Sequence, residues 1–467
     1  MLAKTFEKLT LLWICAIIWA SLAGVEPVEK IIGIRREDKN PWERRVPLIP
    51  SHVRQILEEN AVEIWMQPSS IRVFSDEDYE KEGAKITEDL SPCSVVLAIK
   101  EIPVDFFRPG KVYVFFSHTI KGQPANMPML KRMMELGCTL IDYERIVDEQ
   151  GRRLVFFGTQ AGEAGMIDTL WALGQRLQKQ GTMTPFSRIR LAHGYASLVE
   201  AKEEIKRAAW EVQEHGLDPS LAPLVFGFTG YGHVSQGAQE ILDLLPVETL
   251  SPEEMDGFFR SGNSASNRVY KVVFKEEHMV EPAVKGQRFD LQDYYDHPER
   301  YVPVMETYIP YLTVVVNCIY WTPRYPRFIS KAFLKDLWSR EKPPRLKVIG
   351  DISCDVEGAV ECTVRATNPG NPVYVYDPVE GTAEDGLEGR GVVVMATDNL
   401  PAEIPLESSV CFSSALLPLV PPLVRADFSS SFAECDLPEV LKRAVILYQG
   451  NLTPDYAYMR DFIHKHS

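Results

Sequence analysis

LVFGFTGYGHVSQGAQEIL, residues 224–242, is the stretch on which the fold turns. Its first half is an unbroken apolar run, Leu224–Thr229, and reads as a buried strand. Its second half carries apolar residues at helical spacing. Between them lies Gly230-Tyr231-Gly232-His233-Val234-Ser235-Gln236-Gly237. A strand, a glycine turn and a helix in that order aim free backbone N–H groups and the positive end of a helix dipole at one point. That arrangement suits a pyrophosphate. Gly230 and Gly232 permit the turn and a close approach, and His233, Val234, Ser235 and Gly237 complete the candidate dinucleotide-binding residues. Ser235 stands where GxGxxG would have its third glycine, and Gly237 comes two residues later. The same residues could make a plain turn between strand and helix, but their context favours a nucleotide.

Working outward, short apolar runs alternate with helical stretches. Strands are predicted at Lys30–Ile34, Val62–Met66, Ser94–Ile99, Lys111–Phe116 and Thr139–Ile141 before the turn. After it they are predicted at Val269–Phe274, Thr313–Cys318, Leu346–Ile349 and Arg390–Ala396. Helices are predicted from a Ser51 N-cap to Glu59, over about 162–180 and 195–214, and from Leu437 to near the C-terminus. This alternation is that of βαβ units with parallel sheets.

In an open parallel sheet, ligands bind outside the carboxyl ends of the strands. Lys100 ends the SVVLAI run, and His118 and Lys121 follow the next strand in FFSHTIK. Asp142, Tyr143 and Glu144 end the strand after that, with Arg152 and Arg153 a short loop further on. Taken singly, a strand-end lysine is usually just exposed, and a lone histidine is more often structural than catalytic. Their coincidence at successive tips is what suggests one site.

The choice of cofactor is read from spacing. An acid about 20 residues beyond the first glycine favours NAD. Glu248 lies 18 residues on but inside a short apolar run, and the tip after it reads Leu250-Ser251-Pro252. A tip without an acid tolerates a 2′-phosphate and leans to NADP.

Length and composition set bounds. A chain of 467 residues is too long for one core. The net charge of −15 repels phosphate backbones, so no nucleic-acid partner is expected. The eight cysteines include no CxxC pair, so no metal site is expected and buried free thiols are the favoured state. Residues 1–26 contain Lys4, Lys8 and then the uncharged run Leu9–Gly24, which resembles a secretory signal more than an Arg-rich transit peptide.

At this point the motifs become specific. RREDKNPWERRVPLIP, FFSHTIKGQPANM, LIDYE, FTGYGHVSQGAQ, DHPERY, GDISCDVEGAVE, YVYDP and TDNLPAEIP run in order through nearly the whole folded chain. The chain resembles the alanine dehydrogenase and saccharopine dehydrogenase group. It is most similar there to the lysine–ketoglutarate reductase half of the bifunctional aminoadipic semialdehyde synthases. Only one dinucleotide fingerprint occurs, so no saccharopine dehydrogenase half is expected in this chain. The resemblance implies that Lys100 and His118 are an acid–base pair, and that Lys121 and Glu144 are a supporting charged pair. It implies that Arg45 and Arg153 (or Arg152) clamp carboxylates. Asp351 and Asp355 are expected at the last strand end of the nucleotide domain, facing the substrate.

The expectation is therefore an α/β protein with two Rossmann-like domains and parallel sheets. A targeting segment, 1–26, would precede a discontinuous catalytic domain, 27–205 and 365–467. A dinucleotide-binding domain, 206–364, would be inserted in it, with the active site between the two. The implied activity is NADPH-dependent condensation of L-lysine with 2-oxoglutarate to saccharopine. A separate saccharopine dehydrogenase is then an expected partner, and a homo-oligomer is left open. The alternatives are a saccharopine or alanine dehydrogenase-like oxidoreductase, and an inactive regulatory module. Location is expected to be mitochondrial from the resemblance, or secretory from the apolar leader.

Overall fold

The computed structural model describes residues 30–465, so the leader at 1–26 lies outside the described residues. The chain divides into two compact units: one of residues up to Phe156 and from Phe412 onward, the other Phe157–Cys411.

The first unit opens with β1 (Lys30–Ile34), β2 (Val62–Met66), β3 (Lys85–Ile86), β4 (Val95–Leu97), β5 (Val112–Phe115) and β6 (Thr139–Asp142). These six are parallel, in the order β6-β5-β4-β1-β2-β3, so the order reverses between β1 and β4. That reversal is the usual ligand-binding point of a doubly wound sheet. Helix α1 (Pro50–Glu59) does not begin on a Ser51 cap. Pro50 takes the first helical position, which needs no N–H donor, and Ile49 precedes it with its own N–H on the Ser413 hydroxyl at 3.0 Å.

The second unit contributes ten strands. They are β7 (Val225–Thr229), β8 (Val247–Leu250), β9 (Val269–Phe274), β10 (Val280–Pro282), β11 (Tyr301–Pro303), β12 (Val314–Asn317), β13 (Val348–Asp351), β14 (Val373–Asp377), β15 (Thr382–Asp385) and β16 (Val392–Met395). Eight form one sheet, ordered β15-β14-β16-β13-β12-β7-β9-β8, in which β14 alone is reversed, running antiparallel to both its neighbours β15 and β16. The central strands β7, β12, β13 and β16 are buried along their whole length, which is why each reads as a continuous apolar run. β10 and β11 pair as a separate antiparallel ribbon.

Helices α2 (Gly158–Lys179), α3 (Leu198–His215) and α4 (His233–Leu242) belong to this unit. α2 and α4 cross backbone to backbone: a Cβ on Gly162 would come within 2.0 Å of the Val234 carbonyl, and one on Gly237 within 2.1 Å of the Thr159 carbonyl. The bounds 206 and 364 therefore fall inside this unit. α2 packs on α4, and β14–β16 join the same sheet as β13. Asp351 consequently ends an inner strand of the unit and not its last one.

The chain then returns to the first unit with β17 (Val445–Tyr448) and β18 (Asn451–Leu452). The continuous helix expected from Leu437 is absent. A short helix, Glu439–Lys442, leads into β17, which runs antiparallel to β6. All four β17 residues, VILY, are buried, and β-branched and aromatic side chains fit a sheet better than a helix there.

Candidate functional site

In the first unit, the reversal between β1 and β4 is bridged by a residue that the sequence motifs did not single out. The Glu37 carboxylate, in the loop after β1, accepts the Ile99 N–H at 2.6 Å and the Lys100 N–H at 3.1 Å. It thereby fastens the tip of β4. Burial and the nearby Glu43 carboxylate push the Glu37 carboxyl up to about 7, against the pull of those two N–H groups and Arg35.

Arg45 is buried and held by Glu43 in a two-point fork, Nε to Oε1 at 2.7 Å and Nη2 to Oε2 at 2.6 Å. The side chain read as an open carboxylate clamp thus sits 3% exposed on a carboxylate of the protein itself. Lys100 is half-buried. Burial first, then the Arg45 cation, lower its pKa below the ordinary lysine value, while Glu43 and Glu101 oppose the shift.

His118 has φ 47°, in the left-handed region, and its ring stacks on Phe116 with centroids 6.2 Å apart. Its Nδ1 lies 2.7 Å from Glu101 Oε1, and Lys39 Nζ lies 2.7 Å from Glu101 Oε2. Burial pushes the Glu101 carboxyl up, but the hydrogen bond and charge of His118, with Lys39, outweigh it and hold the group well below the usual range. The side chain next to Lys100 in sequence is therefore the orienting partner of His118, which spacing alone does not reveal.

The loop carrying His118 is tied to β6. Ser117 donates its N–H to Asp142 Oδ2 at 3.1 Å, and its hydroxyl to the same oxygen. Glu144 pairs with Arg153, while Arg152 pairs with Asp148 at 2.7 Å. The ion-pair partner seen for Glu144 is thus Arg153. Lys121 donates its backbone N–H to Gln123 Oε1 at 3.2 Å.

In the second unit, polar side chains lace the ends of three neighbouring strands. Thr229 donates to Asn317 Oδ1 at 2.7 Å, Asn317 Nδ2 donates to Asp351 Oδ1 at 2.8 Å, and the Thr363 hydroxyl donates to Asp351 Oδ2 within 2.5 Å. Asp351 is 1% exposed, and burial raises its pKa to about 6 against these donors. The structure makes it a brace beneath the glycine turn and not a carboxylate open to substrate. Asp355 is half-buried and begins the turn closed by the Gly358 N–H on its carbonyl at 2.9 Å.

Gly230 adopts φ 79°, and its N–H bonds the Phe274 carbonyl at 2.9 Å. α4 starts after Gly232 with no side-chain cap. A Cβ on Gly232 would meet no atom within 4 Å, so the uncapped helix start faces open space at the turn. Those features fit the pyrophosphate of a dinucleotide. His233 is exposed, Val234 half-buried, and Ser235 buried with its hydroxyl 2.9 Å from Gln239 Nε2. Gly237 lies against α2 and leaves the ligand side to Gly230 and Gly232.

The strand beside β7 is β9, while β8 is pushed to the sheet edge. Glu248, on β8, is paired with Arg268 at 2.9 Å. The tip next to the glycine turn is therefore Lys275-Glu276 after β9, not Leu250-Ser251 after β8. Glu276 accepts the Tyr295 hydroxyl at 2.7 Å, and Lys275 is exposed.

Two sheets of this kind and a glycine turn with this geometry define a Rossmann-type dinucleotide-binding protein. The alanine dehydrogenase/PNT N-terminal domain profile matches residues 33–164, and the corresponding C-terminal domain profile matches residues 324–455. The chain belongs to the alanine dehydrogenase/PNT family. It is 40% identical over 92% of its length to the alpha-aminoadipic semialdehyde synthase of Arabidopsis thaliana, of which it covers 41%. It is 36% identical over 92% of its length to the mitochondrial alpha-aminoadipic semialdehyde synthase of Bos taurus, covering 47%. The chain thus spans less than half the length of these two relatives. It is 28% identical over 84% of its length to the NAD(+), L-lysine-forming saccharopine dehydrogenase of Yarrowia lipolytica, covering 92% of that protein. An L-alanine dehydrogenase structure superposes with a TM-score of 0.59 over 94% of this chain and 100% of the other, at 18% identity, which shows a shared fold.

Proposed function

We propose that the chain is a lysine–ketoglutarate reductase: it condenses the ε-amine of L-lysine with the ketone of 2-oxoglutarate and reduces the product to saccharopine with NADPH. The observation that carries this reading is Lys100, half-buried with a lowered pKa, in a chain that also has His118 held by Glu101. Two groups able to exchange protons near neutrality are what imine formation requires. One takes a proton from the attacking amine, and the other protonates the carbinolamine hydroxyl as water leaves. With Nδ1 bound by Glu101, His118 offers Nε2 for such a transfer.

The bound nicotinamide supplies the hydride that reduces the imine carbon. Gly230, Gly232 and the N–H groups of His233 and Val234 would hold its pyrophosphate. NADPH is favoured because Lys275, an exposed cation, stands at the tip beside the glycine turn, while Glu276 is engaged by Tyr295. Arg153 would hold a substrate carboxylate, and Asp355 the lysine α-ammonium. Arg45, fixed by Glu43, would act chiefly by adding to the burial that lowers the Lys100 pKa. Saccharopine would then pass to a separate dehydrogenase. A mitochondrial location follows the Bos taurus relative, which is named as mitochondrial.

The test is direct. The purified chain is mixed with lysine, 2-oxoglutarate and NADPH, and the absorbance of the reduced cofactor is followed. Lysine-dependent oxidation with saccharopine as product is expected. Oxidation with pyruvate and ammonia instead would make the chain an alanine dehydrogenase.

A further inference from the structure

Away from the glycine turn, at the opposite ends of the parallel strands, the second unit gathers cations. Lys347 immediately precedes β13, Arg390 stands just before β16, and Arg176 lies in the last turn of α2. They line a cavity of about 290 Å³ together with Trp338, Arg340 and Glu341. Arg345 stands close enough to Lys347 to repel its charge.

Backbone carbonyls orient these cations without neutralising them. Arg176 reaches the Gly389 and Gly391 carbonyls at 2.8 and 3.1 Å, and Arg345 donates to the Pro223 carbonyl. The Nε atoms of both arginines are buried with no hydrogen-bond partner. Arg390 meets the Trp338 carbonyl at 3.1 Å, and Lys347 Nζ has only the Pro344 carbonyl, at 3.5 Å. Among the described residues no carboxylate lies within ion-pair distance of Arg176, Arg345, Lys347 or Arg390, whereas Arg340 is paired with Asp336 at 2.6 Å. Burial, then Arg176 and Arg345, lower the Lys347 pKa.

Carbonyl capping accounts for Arg176 and Arg345. It leaves Lys347, whose one carbonyl contact is at 3.5 Å, without an explanation. Lys347, half-buried beside the buried Arg176 and the half-buried Arg345, loses hydration and is repelled by both, so it is costly to keep without a counter-ion; Arg390 is an exposed cation at the rim. Such a cluster stands out in a chain of net charge −15. That net charge and the small volume of the cavity argue against a polymeric nucleic acid.

We propose that this cavity is a binding site for a small, multiply charged oxyanion, carried by a phosphate- or polycarboxylate-bearing metabolite, seated on Lys347 and Arg390. The site lies at the far ends of the strands from the glycine turn and is independent of the reductase assignment.

Thermal melting of the full chain is followed against millimolar inorganic phosphate or citrate, with ionic strength held constant by potassium chloride. Ligand that binds only the folded state raises the melting temperature in a saturable way. At least one of the two anions is expected to do so, and which one identifies the source. Lys347→Gln is expected to weaken the apparent affinity about tenfold or more, as loss of a charged hydrogen bond does. Arg390→Gln, an exposed change that touches no core packing, guards against a folding defect and should also weaken binding. Failure of both anions to stabilise, or equal stabilisation of both variants, would overturn the site; the second outcome would place the anion at the glycine turn.

Discussion

His118 is held by two unrelated constraints, a left-handed backbone and a carboxylate on Nδ1. Asparagine tolerates the left-handed region better than most residues, so His118→Asn should keep the local backbone while removing the imidazole. Turnover should fall by about 10²–10⁴-fold with the melting temperature nearly unchanged. Near-normal turnover in a single-turnover assay would take His118 out of the mechanism. Lys100→Arg isolates charge from proton transfer, because a guanidinium stays protonated at any accessible pH. If Lys100 works as the base, that variant loses activity comparably although its cation persists; retained activity would leave Lys100 an electrostatic role alone. At this scale the sequence displays the residues at strand tips but not their partners. Lys100 and His118 are legible because a strand end is legible. That Glu101 belongs to His118, and that Arg45 is spent on Glu43, depends on loops whose paths no local pattern sets.

The glycines of α4 and its turn look alike in the sequence, yet they face different neighbours. Gly237 has the Thr159 carbonyl where a side chain would start, whereas Gly232 has open space. Gly237→Ala must push two helices apart and should cost about 1–3 kcal/mol, seen as a lower melting temperature. Gly232→Ala should leave the melt unchanged and weaken dinucleotide binding instead, because the added methyl takes up room that the pyrophosphate needs. Equal melts for the two variants would contradict this backbone-to-backbone packing of α2 on α4. The inner parallel strands of both sheets are readable because buried parallel strands are apolar throughout, whereas the edge strands β3, β15 and β18 and the reversed β14 are not predicted. Their lateral order was not: β8 and β9 each follow β7 by a plausible connection, and only pairing shows that β9 lies inside. The β17 misreading has a similar origin, since LPEVLKRAVILY carries helical and strand signals in succession and β6 selects the strand. Because β9 lies inside, Lys275→Glu should reverse cofactor preference, lowering NADPH over NADH selectivity by about tenfold or more. Unaltered selectivity in measured kcat/KM for the two cofactors would return the question to the tip of β8.

For the molecule as a whole, several buried carboxyls share one thermodynamic consequence. Glu37 and Glu403 are pushed up to about 7, Asp351 to about 6, and Asp168 well above its usual value, each chiefly by burial. Asp168 and Glu403 are neighbours, and each has one buried oxygen without a donor, which a proton shared between them would satisfy. His193 Nδ1 lies 2.9 Å from the other Glu403 oxygen. The sign follows from proton counting. A carboxyl with a raised folded pKa binds its proton more tightly folded than unfolded. The stability it contributes is complete below the unfolded value of about 4, and is lost as pH rises through the folded value. Between about pH 5 and pH 8 these groups therefore make the protein less stable as the solution becomes more alkaline. Glu403→Gln keeps the side-chain shape, removes one titration, and lets the new amide donate to Asp168. The fall in melting temperature across that range should be visibly shallower in the variant than in the wild type. A variant that melts lower at every pH with the same slope would mean that Glu403 contributes packing but no proton linkage.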